Sequence, residues 1–167
     1  MMAKIGLVRI DSRLIHGQVC TQWLYRTKSK KVYIIDDQSA KDPFLSQLFS
    51  MACPVGVELE TISCEEAGRR WQANQLGEVE PIFILFKDVP NAYRAYMAGF
   101  NYPELQVGGI GGGFGRKIVM GPISFDDEDA RMMNEMAQAG LKAYFQPVPD
   151  DKEVSWQDVK AKHYPNL

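Results

Sequence analysis

The sequence has few cysteines and no long apolar run. Cys20, Cys53 and Cys64 are odd in number and form no CxxC pair, so neither a disulfide framework nor a cysteine zinc site is predicted. No apolar run approaches the roughly 20 residues that a membrane-spanning helix requires. The N-terminal residues also lack the apolar stretch of a signal peptide. We therefore expect a cytoplasmic protein with reduced, buried thiols.

A strong excess of charge of one sign is also missing. The chain has 19 lysines and arginines against 21 aspartates and glutamates, which gives a formal net charge of −2 at pH 7. Binding to a nucleic-acid backbone depends on a strong basic footprint, so nucleic acid is not an expected partner. The 167 residues suffice for one domain with a substantial core. We expect a single domain over residues 1–167, with a polar tail at 150–167 that holds a short helix around Trp156.

Short apolar segments alternate with amphipathic ones along the chain. The segments "KIGLVRI", "KVYIID", "VGVELET" and "PIFILF" have the composition of strands, and each is followed by helical spacing. Parallel strands need crossover connections, so this order predicts an α/β fold: an open, mostly parallel sheet with helices on both faces. Ligands in such folds bind beyond the carboxyl ends of the strands.

Several residues predict where helices begin and end. Ser63 is expected to cap one helix, Ser124 and Asp127 resemble a capping box, and Gly140 is suited to a helix end. Apolar stripes at helical spacing predict the faces that pack into the core: Val19, Cys20, Trp23 and Leu24; Phe44, Leu45, Leu48 and Phe49; Ala92, Tyr93, Tyr96 and Met97; and Met132, Met133 and Met136.

The loop after the first strand carries the strongest chemical signal, in the stretch "RIDSRLIHGQV". Neutral imidazole predominates near pH 7, so His16 can attack an electrophile without a separate base. Arg9 and Arg13 offer planar donors that match phosphate oxygens, and Gly17, which has no Cβ, lets backbone donors come close to a phosphoryl group. Asp11 can fix the tautomer of the ring or hold an arginine in place. These parts favour phosphorus as the electrophile.

From the residues alone, His16 has three interpretations. It can be a nucleophile, a structural histidine, or a metal ligand together with Cys20, four residues away. Two ligands without a third nearby make a weak site, so no metal and no cofactor is predicted. A histidine phosphatase would carry an R-H-G motif, but Ile15 stands in the place of that arginine.

The same stretch strongly resembles the motif of the IIB components of the mannose, fructose, sorbose and N-acetylgalactosamine family of the bacterial sugar phosphotransferase system. Further landmarks extend the resemblance over most of the chain. "IIDDQSAKDPF" is similar to the acidic turn after the family's second strand, "LQVGGIG" to its late strand, and "FQPVPDD" to its last strand and exit.

The resemblance implies a phosphoryl carrier, a protein-N(pi)-phosphohistidine:sugar phosphotransferase. In this family the loop histidine, which matches His16, accepts phosphate from a phosphohistidine of a IIA partner. It then donates the phosphate to a sugar that arrives through the membrane components IIC and IID. The family's loop arginines match Arg9 and Arg13, and its loop aspartate matches Asp11. A cytoplasmic carrier associated with the membrane permease is therefore expected; the sugar and a homo-oligomeric state stay open.

Other features have simpler interpretations. The segment "GGIGGGFGRK" is incomplete as a nucleotide-binding motif and is expected to be flexible or to form tight turns; a role for residues 108–115 at the border of the site stays open. Asp36 and Asp37 are interpreted as turn and loop anchors, and His163 as an exposed bystander. A phosphate-sensing or regulatory binding module that uses the same loop remains the alternative to a carrier.

Overall fold

The computed structural model describes residues 3–17, 19–77 and 81–167, and only the backbone of Cys20. The first half of the chain contains β1 (Ile5–Asp11), α1 (a π-helical stretch, Val19–Leu24, continued by Tyr25–Thr27), β2 (Lys31–Ile35), α2 (Pro43–Ala52), β3 (Glu58–Ile62), α3 (Cys64–Gln72) and β4 (Ile82–Phe86). The second half contains α4 (Val89–Met97), β5 (Glu104–Gly109), β6 (Lys117–Met120), β7 (Ile123–Phe125), α5 (Asp127–Gln138), β8 (Lys142–Phe145), β9 (Val154–Ser155) and α6 (Trp156–His163).

The strands form a sheet in the order β3-β2-β4-β1-β5-β8-β9. Neighbouring strands are parallel except for β8 and β9, while β6 and β7 form a separate antiparallel hairpin. β1 therefore lies inside the sheet, with β4 on one side and β5 on the other. The open, mostly parallel α/β fold predicted from the sequence is confirmed.

Apolar clusters cover the two faces of the sheet. Strand residues such as Ile34 and Phe83 point to one face, where they pack against α1 and Phe49 of α2. Alternate strand residues such as Ile35 and Ile84 point to the other face, where they join the larger cluster with α3, α4, α5 and α6. Since both faces are covered, the central strands β2 and β4 are nearly all apolar, as expected for buried parallel strands.

Several predicted details are confirmed. Ser63 caps α3, since its Oγ accepts a hydrogen bond of 3.1 Å from the backbone N–H of Glu66. Gly140 follows α5 with a φ of 111°, a left-handed conformation that glycine adopts without strain. Met133 is buried in the core, and Trp156 anchors α6 within the predicted tail. None of the helices in the described ranges is long and apolar enough to span a bilayer.

Other details were wrong. Ser124 is buried in β7 and does not cap α5; the capping box is formed by Asp126 and Asp129, whose side chains and backbone N–H groups bond reciprocally. His163 is half-buried rather than exposed. The predicted core stripes also fail in part, because Phe44 and Leu48 of α2 and Met97 of α4 are exposed. The prediction for the Cys20 side chain lies outside the described residues.

Candidate functional site

The His16 loop begins where β1 ends at Asp11. The backbone N–H of Ser12 donates to the carbonyl of Gly109 (2.9 Å), which fixes the start of the loop against β5. Leu14 adopts a φ of 56°, and its side chain, like that of Ile15, is buried beside α1. Burial of these two side chains turns their neighbours outward. The loop is thus anchored by apolar residues and carries its polar residues at the surface.

Asp11 is the centre of the loop's hydrogen bonding. Its carboxylate is fully buried; Oδ1 accepts hydrogen bonds from the backbone N–H (3.1 Å) and Nε (3.4 Å) of Arg13. Oδ2 lies 3.1 Å from Nε2 of His16 and 3.3 Å from a terminal nitrogen of Arg9. Burial alone would raise the pKa of Asp11, but the hydrogen bonds from Arg13 and His16 and the charge of Arg9 bring that pKa below its usual value. Asp11 is therefore ionised at neutral pH.

An ionised Asp11 determines which nitrogen of His16 carries a proton. A carboxylate has no proton to donate, so Nε2 of His16 must carry the proton in the 3.1 Å contact. The lone pair of the neutral ring is then on Nδ1. The side chain of His16 is 17% exposed, which leaves part of the ring open to solvent. Asp11 therefore contacts both the ring of His16 and the guanidinium groups of Arg9 and Arg13.

Arg9 lies beneath the loop rather than on it. Only 1% of the residue is exposed, and its terminal nitrogens donate to Gln106 Oε1 and to the carbonyl oxygens of Gln146 (3.0 Å) and Pro147 (2.9 Å). Burial lowers the pKa of Arg9, and the neighbouring Asp11 opposes that shift. A guanidinium enclosed in this way does not fit the predicted direct contact with phosphate; its position instead supports Asp11.

Arg13 and Gly17 lie at the surface. The side chain of Arg13 is 61% exposed and is held to Asp11 Oδ1 through Nε at 3.4 Å. Gly17 is exposed and has a helical backbone two residues before the start of α1. A Cβ on Gly17 would meet no atom within 4 Å. The fold itself therefore does not require glycine at this position. No cluster of metal ligands occurs among the residues that the structure describes.

The glycine-rich segment borders the His16 loop. The backbone N–H of Gly111 donates to Ser12 Oγ (3.3 Å). Arg116, at the end of the segment, is occupied by Ser124, Asp126 and Asp129 within the fold. These contacts give the segment a structural role at the edge of the site.

Asp36 and Asp37 serve as anchors at the end of β2. Asp36 accepts hydrogen bonds from the backbone N–H of Ser39 (3.0 Å) and Nδ2 of Asn91 (2.9 Å). Asp37 accepts hydrogen bonds from the backbone N–H of Cys64 (2.8 Å) and from Arg94 (2.9 Å). These partners belong to the turn after β2 and to α3 and α4, so the interpretation as turn and loop anchors is confirmed.

The residues that hold Arg9 are not predicted from the sequence. Gln106 is buried in the centre of β5 between apolar residues, and Gly108 leaves the space that the guanidinium fills: a Cβ on Gly108 would lie 1.9 Å from Arg9 Cζ. A glutamine inside an otherwise apolar strand was the available signal, because a buried amide needs a polar partner.

Known proteins show the same fold and sequence pattern. The model of the PTS system sorbose subfamily IIB component matches residues 5–166. The sorbose-specific EIIB component of Klebsiella pneumoniae is 29% identical over 155 residues, which cover 93% of this chain and 94% of the relative. The crystal structure of manxB from Thermoanaerobacter tengcongensis superposes with a TM-score of 0.87 at 31% identity, covering 98% of this chain and 99% of that one.

A longer relative matches as well. The mannose-specific EIIAB component of Escherichia coli (strain K12) is 27% identical over 158 residues, 95% of this chain. This chain spans about half of that relative's length (49%). The family match over nearly all described residues, together with the fold, shows that the chain belongs to the sorbose subfamily of IIB components of the sugar phosphotransferase system.

Proposed function

We propose that the chain is a phosphoryl carrier enzyme in which Nδ1 of His16 accepts phosphate from a phosphohistidine of a IIA component. It then donates the phosphate to a sugar delivered by the membrane components IIC and IID. The observation that carries the proposal is the 3.1 Å contact between the buried Asp11 carboxylate and Nε2 of His16, which leaves the Nδ1 lone pair for attack. Membership of the IIB family supports the reaction class.

In the first transfer, the Nδ1 lone pair of His16 forms a bond to phosphorus while the donor's N–P bond breaks. The donor nitrogen keeps the electron pair of that bond. The phosphorylated ring of His16 holds both an Nδ1–P bond and an Nε2–H bond, so it carries positive charge. Asp11 lies beside Nε2 and stabilises that positive charge.

In the second transfer, a sugar hydroxyl oxygen forms the bond to phosphorus and the Nδ1–P bond breaks. The electron pair returns to Nδ1, and the hydroxyl proton leaves to solvent or to a base. The terminal nitrogens of Arg13 stabilise the negative phosphoryl oxygens in both steps, and Gly17 leaves room for the group beside the backbone. Arg9 acts indirectly, by holding Asp11. Since donor and acceptor both approach from outside, the exposed position of the loop suits the reaction.

The test is transfer of label to the chain. The protein is incubated with labelled phosphoenolpyruvate, the general phosphotransferase proteins and a cognate IIA component. We expect acid-labile, alkali-stable label that disappears in His16→Gln and persists in His163→Gln, the matched control at the other histidine. Phosphorus NMR should place the label on Nδ1. Normal labelling of His16→Gln would contradict the proposal, and phosphate binding without any label would favour the sensing module.

Arg13→Ala gives a second test of the same site. Because its side chain is 61% exposed, the substitution should slow labelling while the thermal unfolding curve stays nearly unchanged. Unchanged transfer kinetics would remove Arg13 from the proposed mechanism.

A further inference from the structure

Phe114, in the glycine-rich segment, has a fully exposed aromatic side chain. Large aromatic side chains are mostly buried in folded proteins, and those at the surface are enriched in protein interfaces. From Leu105 to Gly115 the sequence contains no charged residue, so the chain around Phe114 is uncharged as well. An aromatic residue in an uncharged stretch of surface has the composition of an interface centre.

A tight turn fixes the backbone that carries Phe114. The backbone N–H of Arg116 donates to the carbonyl of Gly113 (3.2 Å), and Gly115 has a φ of 76°, which is the pattern of a type II turn with Phe114 at its first corner. The guanidinium of Arg116 holds the turn to the fold, since Nε donates to Ser124 Oγ (2.9 Å). Because this backbone is already ordered, binding through Phe114 needs little further ordering of the chain.

The segment that carries Phe114 leaves the sheet beside the His16 loop. A Cβ on Gly109, at the end of β5, would lie 3.6 Å from Oδ1 of Asp11. Two residues further, the backbone N–H of Gly111 donates to Ser12 Oγ (3.3 Å). Phe114 follows Gly111 by three residues, so their Cα atoms lie within about 11 Å of each other. The exposed aromatic ring therefore belongs to the rim of the candidate site.

A protein that phosphorylates His16 has to cover this rim. The side chain of His16 is only 17% exposed. The histidine of a donor protein is short, so its phosphorus reaches Nδ1 of His16 only when the surrounding donor surface rests on the residues beside the loop. A specific interface covers about 800 Å² of each partner, a disc with a radius of roughly 16 Å. A disc of this size that is centred on the His16 loop includes Gly111 and extends to Phe114.

The sugar acceptor makes a smaller demand on the surface. A sugar is a small molecule that meets the phosphoryl group on His16 with one hydroxyl, and it does not have to cover the rim. An apolar ring at a distance from the reacting atoms therefore fits the donor protein better than the sugar. Phe114 is expected to act in the first transfer and to have no part in the second.

We infer that Phe114 is an anchor that docks the phosphohistidine donor, a IIA component, onto the rim of the His16 loop. Gly111 and Gly112 keep the surface between the anchor and the loop low. A Cβ on either glycine would meet no atom of the described residues within 4 Å, and neither glycine has a positive φ, so the fold itself does not require glycine there. The inference rests on the proposed function, in which His16 receives phosphate from such a donor.

The test measures the initial rate of labelling of the full chain against the concentration of phosphorylated IIA component. Phe114→Ser should raise the KM for the IIA component by about tenfold or more, as expected for the loss of an aromatic anchor, and leave kcat nearly unchanged. Phe114→Trp should keep most of the wild-type affinity, because it retains an aromatic ring. Val55→Ser, at a fully exposed apolar residue between α2 and β3, is the matched control and should leave the KM unchanged.

Gly112→Trp tests the same surface without touching Phe114. Its side chain would stand between the anchor and the loop, so it should raise the KM for the IIA component while the thermal unfolding curve stays nearly unchanged. Transfer from the phosphorylated Phe114→Ser chain to sugar, in membranes that contain the IIC and IID components, should match the wild type.

The outcomes separate this inference from the proposed function. A wild-type KM in both Phe114→Ser and Gly112→Trp, with no label in His16→Gln, would overturn the docking role and leave the carrier function standing. A lower kcat at unchanged KM, or a loss confined to the transfer to sugar, would also overturn it, because Phe114 would then act on the reacting groups or on the permease. Label in His16→Gln would contradict the carrier function itself.

Discussion

Replacing Asp11 by asparagine is the sharpest perturbation of the site, because it changes little in shape and removes one charge. In the wild type both carboxylate oxygens accept hydrogen bonds: Oδ1 from Arg13, Oδ2 from Arg9 and His16. An asparagine has one acceptor oxygen and one donor NH₂. If the NH₂ takes the place of Oδ2, two N–H donors, the amide and Arg9, face each other, and the amide donates a hydrogen bond to Nε2 of His16. If it replaces Oδ1, it opposes the backbone N–H of Arg13.

The cost to stability follows from these contacts. Removing one member of a buried ion pair costs about 3–5 kcal/mol, but Arg9 keeps neutral acceptors at Gln106, Gln146 and Pro147. We therefore expect Asp11→Asn to lower the free energy of unfolding by about 2–4 kcal/mol, which corresponds to a melting temperature lower by roughly 5–15 °C. The rate of phosphorylation should fall by about 10³-fold or more, since an NH₂ group facing Nε2 places the ring proton on Nδ1.

The difference in unfolding free energy between wild type and Asp11→Asn should depend on pH. The folded pKa of Asp11 lies below its unfolded value, so the carboxylate stabilises the fold above the unfolded pKa of about 3.9. That contribution is lost as pH falls through the lower, folded pKa. The gap in unfolding free energy between wild type and Asp11→Asn should thus be full at pH 7 and shrink below about pH 4.

The assay combines urea unfolding at several pH values with labelling of His16. Asp36→Asn is the matched control, because Asp36 is also a buried carboxylate but accepts its hydrogen bonds from Ser39 and Asn91. The control should lose stability and keep transfer activity once folded. Wild-type labelling rates in Asp11→Asn, under conditions where it is folded, would refute the role of Asp11 in setting the tautomer.

Other predictions concern the support of the site and the rest of the fold. Gly108→Ala should destabilise the protein by about 2 kcal/mol or more in urea unfolding, because its Cβ would lie 1.9 Å from Arg9 Cζ. The control Gly109→Ala, whose Cβ would have its nearest contact at 3.6 Å, should cost much less. Equal urea midpoints for the two variants would contradict this prediction. Asp126→Ala should cost about 0.5–2 kcal/mol through loss of the α5 cap, and an unchanged melting temperature would show that the cap contributes nothing. Cys64, whose pKa burial raises to about 12, should resist iodoacetamide at pH 8 and react on denaturation; rapid alkylation of the folded protein would refute its burial.

The fold was predictable from the sequence because the central strands β2 and β4, which are covered on both faces, are almost wholly apolar. Segments such as Ile82–Phe86 have no competing interpretation at their length, and the helices between them are periodic. The cap of α5 was misplaced because "SFDDEDA" offers several capping residues in a row. Only the pairing of β6 with β7 showed that Ser124 belongs to a strand.

The sequence identified residues of the candidate site but not which of them are buried and which are exposed. The motif identified Asp11, Arg13 and His16, which the structure brings together around one carboxylate. The motif could not show that Arg9 is buried. The sequence of β1 does not reveal that Gln106, on the neighbouring strand β5, accepts a hydrogen bond from Arg9. The exposure of Phe44 on α2 was likewise not predictable, because an apolar stripe predicts a buried helix face but does not identify the surface that covers it.

The partners of Arg9 also bear on when the site is completed during synthesis. Its guanidinium bonds to backbone carbonyls that lie 137 and 138 residues further along the chain. At ordinary rates of translation those carbonyls are made on the order of ten seconds after Arg9. A nascent chain therefore displays His16 before Arg9 has these acceptors to hold it against Asp11. In the proposed mechanism, phosphorylation of His16 therefore depends on completion of β8 and the segment after it, and we expect an unfinished chain to be a poor phosphate acceptor.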